Sequence, residues 1–293
     1  APLNKITESY SGHVRIYKNL NNTWVQIGSD IDGEERGDSS GHSVSLSGDG
    51  SIVAIGARLN DGNGSYSGHV RIYRNVNNTW AQIGGDIDGE SANDQSGYSV
   101  SLSADGSVIA IGAPYNSNNS GHVRIYKNVD NTWTQFGNDI DGDGEGYDGN
   151  LSSRHFVSLS ADGSVVAIGA PHNDDNGNNS GHVRIYKNVN NTWTKVGEDI
   201  KGEAAYDQSG YSVSLSADGS VVAIGAPDNA VNGNMSGHVR IYQNDNGTWN
   251  QIGSDIYGEA KYDESGHSVS LSADGSVVAI GAPGNDANRS RFY

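Results

Sequence analysis

The stretch that decides the fold reads Ser209-Gly210-Tyr211-Ser212-Val213-Ser214-Leu215-Ser216-Ala217-Asp218-Gly219-Ser220-Val221-Val222-Ala223-Ile224-Gly225-Ala226-Pro227. Downstream come Ser236-Gly237-His238-Val239-Arg240-Ile241-Tyr242 and Thr248-Trp249-Asn250-Gln251-Ile252-Gly253. Near-copies of this block fill the chain, and each carries one tryptophan: Trp24, Trp80, Trp133, Trp193 and Trp249. The steps between them are 56, 53, 60 and 56 residues. A recurring period of this size marks a repeat architecture.

Each period holds four strand signals. Ser43-Val44-Ser45-Leu46-Ser47 alternates small polar and apolar residues, the period of a half-buried strand. Asp49-Gly50 follows as a hairpin turn, because glycine tolerates positive φ. Ile52-Val53-Ala54-Ile55-Gly56-Ala57 is apolar on both faces, so both should be buried. His69-Val70-Arg71-Ile72-Tyr73 alternates again, and Trp80-Ala81-Gln82-Ile83-Gly84 completes the set before Asp86-Ile87. No segment keeps helical spacing. Small sheets with two apolar faces must stack on one another, and four short strands repeated radially are the β-propeller pattern. The serine row on the first strand lets blades converge, and the tryptophans are expected to pack between blades.

The residues here resemble a known family. Ser-Gly-Tyr-Ser-Val, Asp-Gly, Ile-Gly-Ala-Pro and Gly-His-Val-Arg-Ile-Tyr are similar to the FG-GAP repeat of integrin α-subunit propellers and related extracellular proteins. Gly-Ala-Pro stands at Gly112–Pro114, Gly169–Pro171, Gly225–Pro227 and Gly281–Pro283, whereas the first copy reads Gly56-Ala57-Arg58. The family's Phe-Gly is Ser-Gly here, at Ser40-Gly41, Ser96-Gly97, Ser209-Gly210 and Ser265-Gly266. The resemblance implies that this strand is innermost. That phase predicts a single five-bladed, all-β propeller with four antiparallel strands per blade. Its blades span about 39–94, 95–150, 151–207 and 208–262, with a fifth made of 263–287 completed by 1–38. A blade shared by the two terminal segments would close the structure and remove free edges. The first residues resemble Ala282-Pro283-Gly284-Asn285, as in a chain processed from a longer precursor.

The net charge of −17 argues against nucleic acid as a partner, since phosphates would find nothing to neutralise them. No apolar run is long enough to span a bilayer, so no membrane insertion is expected. With no cysteine there is neither a disulfide nor a thiolate metal site. Ten Asn-X-Ser/Thr sequons mark candidate glycan acceptors: Asn21, Asn63, Asn77, Asn118, Asn150, Asn178, Asn190, Asn234, Asn246 and Asn288.

One carboxylate precedes each first strand: Asp38, Asp94, Asp148, Asp207 and Asp263. Together they would ring a channel mouth and hold a cation or ligand; singly, each would cap an Asx turn, the preferred reading. The acidic loop Asp30-Ile31-Asp32-Gly33-Glu34 and its copy Asp86-Ile87-Asp88-Gly89-Glu90 could ligate Ca²⁺ through oxygen. The family's own calcium loops join the first two strands; here that turn is only Ser-Ala-Asp-Gly-Ser, so those sites do not carry over. Arg36-Gly37-Asp38 spells an integrin-recognition tripeptide, read as coincidence. The histidines His13, His69, His122, His182 and His238 fall on different blades and read as strand-edge residues. The inner strands carry no carboxylate pair, and no nucleophile motif is present.

The sequence therefore predicts a non-catalytic extracellular or cell-surface binding or adhesion module. Its repeated sites would take a glycan or an extracellular protein, and it could self-associate. The alternatives are a structural subunit of an extracellular assembly and, less favoured, a propeller glycosidase.

Overall fold

Apolar runs bounded by glycine become strands, and their pairing repeats with the sequence. The computed structural model describes residues 10–116, 120–142 and 156–286. Every named element among them is a β-strand. In the first complete sheet, Ser43–Leu46, Ile52–Ala57, His69–Val76 and Thr79–Gln82 form an antiparallel meander. Its register sets Ser43 opposite Gly56, Ala54 opposite Ile72 and Asn75 opposite Trp80. A two-residue strand, Ile87–Asp88, adds to the start of the third strand by pairing Asp88 with His69. The pattern recurs from Ser99 to Asp141, from Phe156 to Lys201 and from Ser212 to Tyr257. The fold is all-β, of the β-propeller class.

The second strand of each sheet is the core. Ile52–Ala57 is buried along its whole length. The third strand is buried over His69–Tyr73 and then runs out into solvent.

The chain divides into two compact units. The first comprises 1–144 with the short segments 161–164 and 188–193. Its described part holds the two sheets from Ser43 to Asp141, preceded by two small sheets pairing His13–Val14 with Ile31–Asp32 and Tyr17–Leu20 with Thr23–Gln26. Here Trp80 and Trp133 join neighbouring blades, whereas Trp24 is exposed. The Trp80 indole donates to the Ile27 carbonyl at 2.8 Å and Trp133 to Ile83 at 2.9 Å. Arginines of the third strand do likewise: Arg71 donates to the Asp32 carbonyl and Arg124 to that of Asp88. The serine row has a specific task. Ser43 Oγ donates to the Gly97 carbonyl, and Ser45 Oγ accepts from the Leu102 amide, so adjacent first strands are linked by hydroxyls.

The second unit comprises 145–160, 165–187 and 194–293. Within it Trp249 donates to the Val196 carbonyl at 2.9 Å, and Ser214 Oγ accepts from the Leu271 amide. Ser268–Leu271 and Val278–Gly281 form a hairpin there.

The turn between the first two strands is built on one carboxylate. Asp49 Oδ1 accepts from Ser47 Oγ and from the Ser51 amide, and Asp274 accepts from Ser272 and Ser276 in the same way. Those bonds hold both carboxyls at about 2, below the usual carboxylate range. A depressed carboxyl stabilises the fold fully above its unfolded value of about 3.9 and stops doing so as pH falls toward the folded value. Both turns are thus expected to keep their carboxylates down to about pH 2. Carboxyl ¹³C titration of Asp49 and Asp274 checks this, and midpoints near 4 would refute it.

Candidate functional site

The copies agree along the strands, so positions where they differ stand out. Three such positions lie at one end of the first two strands. One is the turn residue after the buried aspartate, filled by Ser39, Gln95, Gln208 and Glu264. The second is the residue after the following glycine: His42, Tyr98, Tyr211 and His267. The third follows the Gly-Ala-Pro corner: Leu59, Tyr115, His172, Asp228 and Gly284.

The turn residues adopt φ between 52° and 58°, a left-handed conformation that ordinarily selects glycine. Gln95, Gln208 and Glu264 keep long functional side chains there instead. Backbone strain of this kind gathers at functional sites, although turns also carry it.

In the first unit these positions meet one another. Arg58 Nη1 donates to Gln95 Oε1 at 2.5 Å, its guanidinium lies 5.6 Å from the Tyr98 ring, and Tyr98 meets His42 edge-on at 4.9 Å. The second unit holds the more acidic version. Gln208 Nε2 donates to Asp228 Oδ2 at 2.5 Å. Tyr211 stacks obliquely on Phe156 and His267, and its hydroxyl lies 3.3 Å from His267 Nε2. Burial pushes the Asp228 carboxyl up, and the charges of Glu264 and Asp207 push it further. A half-buried acid whose carboxyl is raised beside an ionisable partner is the arrangement of general acid–base chemistry.

The aspartates before each first strand lie deeper. Asp38, Asp94, Asp207 and Asp263 are only 2–3% exposed. Asp38 Oδ2 accepts from the Glu35 amide and from Asn60 Nδ2, and Asp94, Asp207 and Asp263 accept from the amide three residues back. Each carboxylate thus closes the turn that precedes it, whereas an Asx turn would take amides further along the chain. Asp38 is thereby occupied, which withdraws the carboxylate of Arg36-Gly37-Asp38. Asp148 lies outside the described residues.

The acidic loops do not wrap around one point. Asp30 is held by Arg15 at 2.8 Å and by Gln26, and Asp32 and Asp88 sit in the short strands opposite His13 and His69. Glu34, Asp86 and Glu90 instead approach histidines. Glu34 and Asp86 both come to His69, whereas Glu90 joins Asp139 at His122. Asp175 with Asp199 at His182, and Glu203 with Asp255 at His238, repeat the grouping. Four of the five strand-edge histidines thus gather two carboxylates each. Sequence reasoning compared the histidines only with one another and missed this, although a constant offset of 17 residues links His69 to Asp86, His122 to Asp139, His182 to Asp199 and His238 to Asp255.

Among the sequons, Asn21, Asn77, Asn190 and Asn246 occupy exposed turns with positive φ. Asn178 and Asn234 are exposed as well. Asn63 differs: its amide nitrogen donates to the carbonyls of Gly89 and Glu90. A glycan would displace both bonds, so Asn63 is expected to stay unmodified in a eukaryotic secretory host that modifies Asn77. Glycopeptide mass spectrometry decides it; equal occupancy refutes it. Asn118, Asn150 and Asn288 lie outside the described residues.

The family model described as the FG-GAP repeat matches residues 30–73, which run from the acidic loop through the first two strands into the third. The chain carries an FG-GAP repeat. No curated protein sequence matches the chain. Among solved structures, this chain superposes on the periplasmic gluconolactonase of Pseudomonas aeruginosa with a TM-score of 0.60 and 16% identity, covering 94% of this chain and 73% of that one. A Bacteroides uniformis protein assigned as a 6-phosphogluconolactonase gives 0.58 and 14%, covering 93% and 69%. Hydrazine synthase of Kuenenia stuttgartiensis gives 0.57 and 11%, covering 93% and 75%. Identities this low establish the shared fold.

They also correct two expectations. The FG-GAP resemblance led to a non-catalytic adhesion module and to the absence of enzymatic activity; these propeller neighbours carry the names of enzymes, two of them lactonases. Of the readings raised from sequence, the propeller glycosidase is the nearer. The physical reason for the error is local. The inner strands carry no carboxylate pair, whereas Asp228 and Glu264 stand on the corners that follow the second strand and precede the first. No helix among the described residues is long and apolar enough to cross a membrane.

Proposed function

We propose that this protein is a hydrolase acting on a cyclic sugar ester, with its reacting groups on the copy-specific corners of the second unit. The observation that carries the reading is the pairing of Asp228 with Gln208, beside Glu264 and the Tyr211–His267 contact. The lactonase names of two fold neighbours support the substrate class. In the proposed step, Glu264 takes a proton from water as its oxygen bonds to the lactone carbonyl carbon. The acyl carbon–ring oxygen bond then breaks, and Asp228 gives its proton to the departing oxygen. The product is the open hydroxy acid, and solvent returns the proton from Glu264 to Asp228. Tyr211 and His267 offer a hydroxyl and an imidazole for sugar hydroxyls, and the stacked rings a face for the sugar's C–H surface.

A second reading, glycoside hydrolysis, draws on the same two carboxyls, because glycosidases also set an acid beside a carboxylate. Following acid release from glucono-δ-lactone and 6-phosphogluconolactone in a pH-stat, beside chromogenic aryl glycosides, separates the two. Lactone turnover above the buffer rate supports the first. Glycoside cleavage alone replaces it with the second, and neither refutes the hydrolase. We also place the protein outside the cytoplasm; the FG-GAP match and the periplasmic neighbour support this, and fractionation of the source cells tests it.

A further inference from the structure

We propose that two clusters of the first unit, Glu34/His69/Asp86 and Glu90/His122/Asp139, each bind a divalent first-row transition metal ion of the zinc class. The inference does not rest on the hydrolase reading, and no residue is shared with that site.

Geometry comes first. His69 Nδ1 lies 3.9 Å from Glu34 Oε2 and 3.7 Å from Asp86 Oδ2, and His122 Nδ1 lies 3.8 Å from Glu90 Oε2. These separations are too long for hydrogen bonds. Two ligands about 2.1 Å from a tetrahedral zinc stand about 3.4 Å apart, close to these separations, and all three ligand atoms of each group lie within 4.8 Å of one another.

The second observation is the state of the histidines. His69 and His122 are each 1% exposed. Nε2 of each is buried without a hydrogen-bond partner, and at His238 it is Nδ1, the nitrogen that faces Glu203 and Asp255, that is buried and unpartnered. Nδ1 of His69 and of His122 faces its carboxylates at those separations with no hydrogen bond, and a cation there would give it the partner it lacks, while Nε2 keeps the ring proton.

The third is the support behind the carboxylates. Each glutamate uses Oε1 for an arginine, Arg71 at 3.3 Å from Glu34 and Arg124 at 3.4 Å from Glu90, which leaves Oε2 facing the histidine. Each aspartate uses Oδ1 for a glutamine, Gln82 to Asp86 and Gln135 to Asp139. One oxygen of every carboxylate is thus anchored and the other is presented, which is how outer partners orient metal ligands. A pocket of about 430 Å³ opens on His69, Glu34 and Asp86, with Asn60 and Asp61 at its edge, and gives an ion a way in.

The ligand set selects the metal. Imidazole with two carboxylates suits zinc-class ions, whereas Ca²⁺ takes six to eight oxygens. The other two copies are compromised. Tyr257 donates to the Asp255 oxygen that faces His238, and at His182 Lys201 lies 3.5 Å from Asp175 while Arg184 and Lys195 hold Asp199. Since Glu34 and Glu90 each precede the blade that supplies their histidine, either ion would tie one blade to the next.

The test is metal content of the chelator-stripped full chain after dialysis against Zn²⁺ or Ca²⁺, with thermal melts alongside. About two equivalents of Zn²⁺ and a raised melting temperature are expected, with Ca²⁺ unable to substitute. Asp86→Asn with Asp139→Asn keeps side-chain shape and should abolish uptake, a loss beyond the roughly 10- to 100-fold that removing an outer partner costs. Glu34→Gln with Glu90→Gln should do the same, which guards against one pair failing to fold. Less than one equivalent of Zn²⁺, unchanged uptake by a folded variant, or equal binding of Ca²⁺ would overturn the proposal.

Discussion

Asp228→Asn is expected to lower turnover of a sugar lactone by about 100- to 10,000-fold, the span that a positioned general acid or base supplies. Asparagine keeps the shape of the side chain and can still accept from Gln208 through its oxygen; only the transferable proton is gone. The loss should therefore fall on kcat, with KM and the melting temperature little changed. The pH profile adds a readout that a structural role would not move. Burial and the nearby charges raise the Asp228 carboxyl above its ordinary value, so it stays protonated into a range where other aspartates are ionised. As pH rises through that raised value the acid is lost, and the wild-type rate should fall. The variant, having no acid to lose, should lack this limb. Asp274→Asn, at an exposed hairpin turn, serves as the control. A fully active Asp228→Asn enzyme would remove Asp228 from the chemistry.

A large effect on stability is expected at Gly225. A β-carbon there would lie 2.0 Å from the Gly266 carbonyl oxygen and 2.4 Å from Ser212 Oγ. Those two atoms are already bonded to each other at 2.7 Å across adjacent first strands. Ser212 can rotate away only by breaking that bond, and the Gly266 carbonyl is backbone, so alanine must push the neighbouring chain aside. Overpacking of this sort costs about 1–3 kcal/mol, and the lost hydrogen bond puts Gly225→Ala at or above the upper end, a melting temperature lower by roughly 10 °C. Gly85→Ala, whose β-carbon meets nothing within 4 Å, should be close to neutral. Equal melting of the two variants would mean that the blades pack more loosely than this.

The fold was legible because repetition amplifies the signals that build strands. Ser-Val-Ser-Leu-Ser, the Asp-Gly turn and the apolar second strand recur, and Trp80, Trp133 and Trp249 make the inter-blade contacts their positions suggested. The candidate sites were harder to read for two different reasons. The histidine clusters draw a glutamate 35 residues upstream in one case and 32 in the other, across a blade boundary, and no local motif spans that distance. Only the 17-residue offset to the aspartate was visible in advance. Asp228 and Glu264 were missed because the search favoured what every copy shares. A scaffold built from near-identical blades acquires an asymmetric site only where the copies disagree, and that disagreement was present at Leu59, Tyr115, His172, Asp228 and Gly284.

The indole bridges have a spectroscopic consequence. Trp24 is 67% exposed and Trp193 only 4%, while Trp80, Trp133 and Trp249 are each tethered to a carbonyl of the sheet before. The chain thus carries its own graded set of fluorophores, each reporting the seam on which it sits. Because a seam couples only adjacent sheets, melting of either unit can proceed seam by seam. Emission from single-tryptophan versions would then redden in an order that maps which seam yields first.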